Sequence, residues 1–179
     1  MSTTQILLAG FGGQGILFAG KFLAYGGLIL GKELSWLPSY GPEMRGGTAN
    51  CSVILSDTPV GSPIVTTPDI LAVLNLPSFD KFEDATAPGG TVLIDSSLIG
   101  RKARREDVKN VYIPATKLAL DEGLQGLANM VMLGKMIKET GALPYDKLRM
   151  VMEKVIPARK QEMLELNMKA IGIGYNFGA

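Results

Sequence analysis

The feature that most constrains the fold is a glycine-rich turn between an apolar run and an apolar helix. Residues 5–9 form a short run that is typical of a strand buried on both faces. A GxGxxG motif follows, and residues 14–30 then continue at helical length with Lys21 as their only charge. The motif consists of Gly10, Phe11, Gly12, Gly13, Gln14 and Gly15. Such glycines let backbone N–H groups approach an anion at the positive end of a helix.

The rest of the chain alternates strand and helix patterns. Residues 33–37 indicate a second strand, and strand, helix, strand predicts a βαβ unit with parallel strands. Residues 48–55 and 60–65 flank Asp57-Thr58-Pro59, which predicts a β-hairpin whose second strand lies at a sheet edge. Further strands are predicted over residues 70–75, 91–95 and 110–113.

After residue 115 the pattern is helical. Residues 115–140 predict one helix, or two helices broken near Gly123 and Gly126, and two more helices follow over 144–156 and 157–170. We therefore expect a single α/β domain over residues 1–179. It is a three-layer domain with a mostly parallel sheet, a β-hairpin insertion and a helical C-terminal part.

Composition excludes several kinds of site. The chain has no histidine and one cysteine, Cys51, so it cannot supply a histidine base, a CxxC pair or the ligands of an iron–sulfur cluster. We expect no catalytic residue and no metal ligand on this chain. Lys and Arg number 18 against 17 Asp and Glu, which gives no reason to expect nucleic-acid binding. Glycines interrupt the apolar N-terminal stretch, so we expect no membrane segment, and one cysteine fits the cytoplasm.

The glycine motif by itself leaves three interpretations open. It can bind NAD or NADP, it can be a purely structural turn, or it can meet a phosphate, a diphosphate or a partner surface. A dinucleotide site needs an acidic residue at the end of the second strand to hold the ribose. That strand ends in Trp36 and Leu37, while Glu33 lies at its start. The motif therefore favours the other two interpretations.

A second loop follows the second strand, at the end of the sheet where ligands bind in open α/β folds. It combines a phenol, a carboxylate and a guanidinium with a stiff proline and two permissive glycines. Its residues after Ser39 are Tyr40, Gly41, Pro42, Glu43, Met44, Arg45, Gly46 and Gly47. The alternative is a surface turn with a local ion pair between Glu43 and Arg45. Farther along, Asn129 lies in an apolar helix and needs a hydrogen-bond partner if it is buried.

The two loops together carry a family resemblance. GFGGQG near residue 10 and SYGPEMRGG near residue 40 resemble the gamma subunit of 2-oxoacid:ferredoxin oxidoreductases. The resemblance extends through the hairpin and to residues 129–134, which are similar to the family's late Asn-containing helix. It favours the 2-oxoglutarate or branched-chain types, and it implies a pyruvate/ketoisovalerate oxidoreductase catalytic domain.

The resemblance implies a hetero-oligomeric enzyme. Alpha and beta subunits hold thiamine diphosphate with Mg, iron–sulfur clusters lie on beta or on a ferredoxin-like delta subunit, and coenzyme A accepts the acyl group. The enzyme converts a 2-oxoacid and coenzyme A to acyl-CoA and CO2 and reduces ferredoxin. It implies that this chain holds no cofactor alone and is inactive alone. The loops would face the active site or the coenzyme A channel, through the glycine motif, Tyr40, Glu43, Arg45, Gly46, Gly47 and Asn129.

Two rivals remain at this point. A free-standing Rossmann-type protein would bind a nucleotide as an isolated chain. A regulatory or scaffolding module would use the same loops only for interfaces. The basic run 101–105 can meet a phosphate of coenzyme A or form a solvated loop.

Overall fold

A computed structural model describes residues 2–39 and 48–179. These residues form six strands and six α-helices, with the last four helices following the last strand. The strands are β1 (Thr3–Phe11), β2 (Glu33–Pro38), β3 (Thr48–Ser56), β4 (Ile70–Val73), β5 (Thr91–Asp95) and β6 (Lys109–Ile113). The helices are α1 (Ile16–Ile29), α2 (Leu76–Phe82), α3 (Ala115–Asp121), α4 (Ala128–Thr140), α5 (Leu148–Val155) and α6 (Gln161–Asn176).

All six strands form one mixed sheet in the order β2-β3-β1-β4-β5-β6. β1, β4, β5 and β6 are parallel neighbours, while β3 is antiparallel to both β1 and β2. β2 therefore runs parallel to β1 but lies one strand away from it. The connection through α1 therefore places β1 and β2 two positions apart in the sheet, and β3 lies between them. The predicted α/β class and mostly parallel sheet are confirmed.

The predicted hairpin of residues 48–55 with 60–65 is wrong. β3 is present, but residues 60–65 form no strand. β1 pairs with the whole of β3, and β2 pairs with the other edge over Cys51–Ser56, so the end of β3 from which a hairpin would continue has no free edge. Pro59, Pro63 and Pro68 also remove backbone donors from this segment. The antiparallel insertion is the β2–β3 pair instead.

Each face of the sheet has its own apolar core. One core packs α1 and the C-terminal helices α3–α6 against side chains such as Ile6, Leu8 and Val53. The other packs α2, through Phe79, against Leu7 and Ile94. The alternation of side chains along each strand explains why neighbouring residues belong to different cores. The sheet therefore lies between two helical layers, as predicted.

The helical C-terminal part is confirmed, with a break between α3 and α4. Gly123 and Gly126 adopt φ of 68° and 85°. This left-handed conformation cannot continue a right-handed helix, and glycine adopts it more readily than other residues. α4 then packs closely on α6, because Gly134 faces the backbone of Ile171 and Gly174 faces that of Val131. This close packing fixes the start of α4, which lies beside the glycine loop. No helix in residues 2–39 and 48–179 has the length and apolarity needed to cross a bilayer.

Candidate functional site

The glycine loop connects the end of β1 to the start of α1. Gly13 and Gly15 have φ of 91° and 73°, in the left-handed region where glycine is favoured. Gly15 is the N-cap residue of α1, and no side chain of the described residues caps this helix start. The first turn of α1 also contains no acidic residue. The loop therefore presents free backbone donors and the positive end of a 14-residue helix.

Gln14 holds this loop to the neighbouring strand. Its Oε1 accepts a hydrogen bond from the Phe11 N–H at 2.6 Å, and its Nε2 donates to the Leu74 carbonyl at 3.1 Å. The chain turns to opposite sides of the sheet after β1 and after β4, so the gap between their carboxyl ends is the topological switch point. Gln14 bridges that gap, where a dinucleotide would bind in a Rossmann fold.

Asn129 holds the loop from the helical side. It is only 5% exposed, and its Nδ2 donates to the Gly15 carbonyl at 3.0 Å. Asn129 therefore has a hydrogen-bond partner in its buried position, and that partner is a backbone carbonyl of the glycine loop. A Cβ at Gly15 would collide with the Asn129 amide, so the two residues fit only because position 15 is glycine. The role of Asn129 in function stays a prediction.

The second predicted loop lies largely outside the described residues, which include none of Tyr40, Glu43, Arg45, Gly46 and Gly47. The residues that flank it are described. The Ser39 N–H donates to the Asn50 carbonyl at 2.8 Å, and in β3 Thr48 and Ala49 lie opposite Phe11 and Gly10. Both ends of the second loop therefore begin at the same edge of the sheet as the glycine loop.

A shallow cavity of about 270 Å³ lies against the glycine loop. Backbone and apolar side chains form its walls, and no charged residue contributes to it among the described residues. Its lining residues are Phe11, Gly12, Gly13, Gly15, Ile16, Leu17, Phe18 and Ala49. Such a surface can accept hydrogen-bond acceptors and apolar groups, but it offers no nucleophile and no general acid or base. It is suited to binding and positioning.

The acidic residue that a dinucleotide site requires is misplaced. Glu33 begins β2 and is exposed at the amino edge of the sheet, whereas the carboxyl end carries Leu37. The ribose of a nucleotide at the glycine loop would therefore face no carboxylate from β2. Together with Gln14 at the switch point, this geometry gives the Rossmann alternative no support.

The basic run 101–105 has a role that the sequence reasoning missed. Arg104 donates to the fully buried Glu83 carboxylate through its amide N–H at 2.5 Å and its Nε at 3.2 Å, and Arg101 pairs with Glu83 at 2.8 Å. Burial alone raises the pKa of Glu83, but these hydrogen bonds outweigh it and hold the pKa below the usual value. The signal was the segment 80–84, with three acidic residues at the end of α2, which is separated from the basic run by β5. The run is an ion-paired structural loop.

Cys51 is an inert core residue. Its thiol is fully buried, accepts a hydrogen bond from Trp36 Nε1 at 2.9 Å and lies against Gly20. Burial raises the pKa of the thiol to about 12, against a smaller opposing effect of Trp36. Within the residues that the structure describes, no three metal-ligating side chains form a group that could hold a metal ion.

Comparisons with known proteins agree with this geometry. Ketoisovalerate oxidoreductase subunit VorA of Methanothermobacter thermautotrophicus is 40% identical over 172 residues, covering 95% of this chain and 35% of that protein. The chain thus spans about a third of that relative. The 2-oxoglutarate synthase subunit KorC of Methanocaldococcus jannaschii is 37% identical over 174 residues, covering 96% of this chain and 91% of that protein.

A solved structure and a family match point the same way. The gamma subunit of a keto/oxoacid ferredoxin oxidoreductase from Geobacter sulfurreducens superposes with a TM-score of 0.81 at 30% identity, covering 96% of both chains. The family described as "Pyruvate ferredoxin/flavodoxin oxidoreductase" matches residues 5–177. The expected resemblance to gamma subunits is confirmed: the chain belongs to the pyruvate ferredoxin/flavodoxin oxidoreductase family.

Proposed function

We propose that this chain is the non-autonomous gamma subunit of a thiamine-diphosphate-dependent 2-oxoacid:ferredoxin oxidoreductase. The whole enzyme converts a 2-oxoacid and coenzyme A to acyl-CoA and CO2 and passes the electrons to ferredoxin. Alpha and beta subunits hold thiamine diphosphate and Mg, and beta or a ferredoxin-like delta subunit holds the iron–sulfur clusters. One cysteine and no histidine on this chain support that division, because a cluster needs more ligands than the chain has.

One observation carries the proposed role of this chain. The glycine loop exposes uncapped backbone donors beside an apolar cavity, and the described residues there offer no acid–base or nucleophilic group. Such a loop positions an acceptor group and does no chemistry itself. We infer that it faces the active site or the coenzyme A channel, where a phosphate or a carboxylate would accept from Gly12–Gly15. The second loop, with Arg45, is inferred to act beside it.

The substrate is proposed to be 2-oxoglutarate or a branched-chain 2-oxoacid. The two relatives compared above are named for ketoisovalerate and for 2-oxoglutarate, and their sequence identities to this chain are close, at 40% and 37%. Most substrate contacts are expected on the other subunits.

Reconstitution tests the proposal. The chain alone, assayed with thiamine diphosphate, coenzyme A, several 2-oxoacids and a viologen dye, should show no turnover. Co-expression with its alpha and beta subunits should give an active complex that contains this chain. Turnover by the isolated chain, or an active alpha–beta enzyme that never incorporates it, would contradict the proposal.

Arg45 gives a sharper test within the complex. An arginine fork binds a carboxylate or phosphate through two hydrogen bonds, which a lysine cannot reproduce. Arg45→Ala and Arg45→Lys should leave the lone chain folded and impair the complex. Loss of assembly would indicate a partner contact, whereas normal assembly with a raised KM for coenzyme A or the oxoacid would indicate a ligand contact. Wild-type behaviour of both variants would remove Arg45 from the site.

A nucleotide titration separates this proposal from the Rossmann alternative. NAD and NADP should not bind the isolated chain measurably, because Leu37 stands where a ribose-binding carboxylate is needed. Isothermal calorimetry that returns a micromolar Kd for either nucleotide would favour the alternative.

A further inference from the structure

We propose that residues 59–67 form a strap that opens locally and controls the access of uncharged molecules to one groove on the α2 face of the sheet. Val60 and Val65 of the strap pack on the core that contains α2, on the face opposite to α1. The inference therefore goes beyond the proposed function and does not depend on it. In the closed form the strap divides the groove into two cavities.

The two cavities have one continuous floor. The first, of about 260 Å³, lies over the cross-strand pair of Gln5 in β1 and Ile54 in β3. The second, of about 390 Å³, lies over Leu7 and Ser52, which are the next pair on the same face. Successive residues on one face of a strand are only about 7 Å apart, so the two cavities are sections of one groove. Val65 belongs to the same apolar core as Leu7 and Ile54 and lies between the sections.

The residues that flank the strap hold both of its ends. Asp57 accepts hydrogen bonds from the Ser2 N–H at 2.7 Å and from Lys32. The Asp69 N–H donates to the Gln5 carbonyl, and its carboxylate accepts from the Gln5 N–H, each at 2.8 Å. Ser2 and Gln5 are three residues apart along extended chain, a distance of about 10 Å. The strap therefore leaves the amino edge of the sheet and returns to it.

Between these ends few contacts hold the strap to the sheet. No backbone group of residues 59–67 bonds to the backbone of another described residue, and the Ile64 N–H donates to Ser62 Oγ within the strap at 3.3 Å. Val65 is 8% exposed and is the one buried side chain of the strap, while Ile64 beside it is 60% exposed. Segments with so few hydrogen bonds and buried contacts open at a low cost in free energy. We therefore expect the strap to open while the sheet stays intact.

The walls of the groove decide which molecules it suits. Among the described residues, none that lines either cavity is charged. Polar side chains such as Asn50 and Ser52 lie among apolar ones such as Leu7 and Phe82. A carboxylate or phosphate would lose its hydration here without gaining an opposite charge, whereas an uncharged molecule with polar and apolar groups would not. The groove therefore differs in chemistry from the glycine loop.

Thiol labelling of the full chain tests the strap. Ser52→Cys places a thiol beneath the strap, where the native side chain is 8% exposed, and the uncharged reagent monobromobimane measures its accessibility. The native thiol adds no background, because Cys51 is fully buried in the opposite core and burial raises its pKa to about 12. Ser52→Cys should label more slowly than a free thiol, at a rate that urea below the unfolding transition leaves unchanged.

Two valine truncations separate local opening from global unfolding. Val65→Ala removes the buried anchor of the strap, and Val108→Ala makes the same change in the same core outside the strap, both valines being 8% exposed. In the Ser52→Cys chain, Val65→Ala should raise the labelling rate about tenfold, because the closed form loses the burial of two methyl groups. Val108→Ala should change the rate less than about twofold, because it weakens the core without freeing the strap. Both truncations should lower the melting temperature by similar amounts.

Three results would overturn the proposal. Equal acceleration by the two truncations, or labelling that rises with urea from the lowest concentrations, would show that the thiol is reached only by global unfolding. An unchanged rate in Val65→Ala, or labelling of Ser52→Cys as fast as a free thiol, would show that the strap does not limit access. The urea series needs no strap variant, so it decides the question even if Val65→Ala does not fold. None of these results bears on the proposed function, which reconstitution tests separately.

Discussion

The amino edge of the sheet, where the parallel strands begin, and the carboxyl edge, where they end, differ in how many of their exposed groups find partners within the chain. At the amino edge, charged side chains find partners within the chain: Lys32 pairs with Asp57, the Gln5 N–H donates to Asp69 at 2.8 Å, and Lys109 pairs with Glu139 at 2.6 Å. At the carboxyl edge, the described residues present exposed apolar side chains and an uncapped helix start.

This difference separates stability from function. Ion pairs at the amino edge hold the pKa values of Asp57 and Glu139 below their usual ranges, through hydrogen bonds from Lys32 to Asp57 and from Lys109 and Lys135 to Glu139. Those groups are already satisfied and need no partner molecule. The carboxyl edge leaves donors and apolar surface open, which is the condition under which a partner or ligand gains binding free energy. Substitutions at the two edges should therefore affect different properties.

The largest expected effect on stability comes from substitution of Glu83, the residue that directly follows α2. Glu83→Ala removes the buried carboxylate that accepts from the Arg104 N–H and pairs with the partly exposed Arg101 and Arg104 side chains, so this network loses its shared acceptor. It should lower the free energy of unfolding by about 3–5 kcal/mol, measured by urea denaturation. The matched control is Asp84→Ala, whose carboxylate is 75% exposed and which should cost less than about 1 kcal/mol. Similar costs for both would show that the Glu83 network is weak.

Acid titration examines the same network. Because the pKa of Glu83 is lower when folded than when unfolded, its contribution to stability is full above the unfolded value of about 4.3 and is lost as the pH falls through the folded value. Unfolding free energy measured from pH 7 down to pH 3 should fall more steeply for the wild type than for Glu83→Gln. Parallel pH curves would contradict this.

The next effect separates two glycines of one loop. Gly15→Ala should lower the unfolding free energy by about 2–4 kcal/mol, because it combines a left-handed backbone with a collision against Asn129. Gly13→Ala has a similar φ but open space around it, so it should cost only about 1–2 kcal/mol. Equal costs would show that the contact with Asn129 does not matter.

Substitution of Gln14 should lower the unfolding free energy of the lone chain by a smaller amount. Gln14→Ala removes the two hydrogen bonds that connect β1 and β4 at the switch point and should cost about 1–2 kcal/mol. Gln14→Glu keeps the acceptor for the Phe11 N–H but opposes a carboxylate to the Leu74 carbonyl, so it should not restore stability. If it does, the bond to Leu74 contributes nothing.

The smallest expected effect is at the amino edge surface. Lys32→Ala breaks an exposed ion pair and should change stability by less than about 1 kcal/mol, and salt should reduce the difference further. It should leave assembly with alpha and beta subunits unchanged. Loss of assembly in Lys32→Ala would show that the amino edge also contacts a partner and would break the contrast between the two edges.

The glycine loop shows what short stretches of sequence can predict. Its strand, its turn and its helix come from residues adjacent in the chain, and the structure has all three. The hairpin shows the limit. Residues 60–65 have a strand-like composition, but whether they join a sheet depends on a free edge, and β2 and β1 already occupy both edges of β3.

The sequence by itself determined the α/β class, the glycine turn and the lack of cluster ligands, because each depends on composition or on neighbouring residues, while it left the break between α3 and α4 as one of two possibilities. Only the tertiary structure decided that Asn129 binds Gly15, that Gln14 reaches Leu74 and that Glu83 organises the basic run. These pairs are 114, 60 and 21 residues apart in the chain. Their contacts follow from the strand order and from the packing of helices on the sheet, which no local pattern specifies.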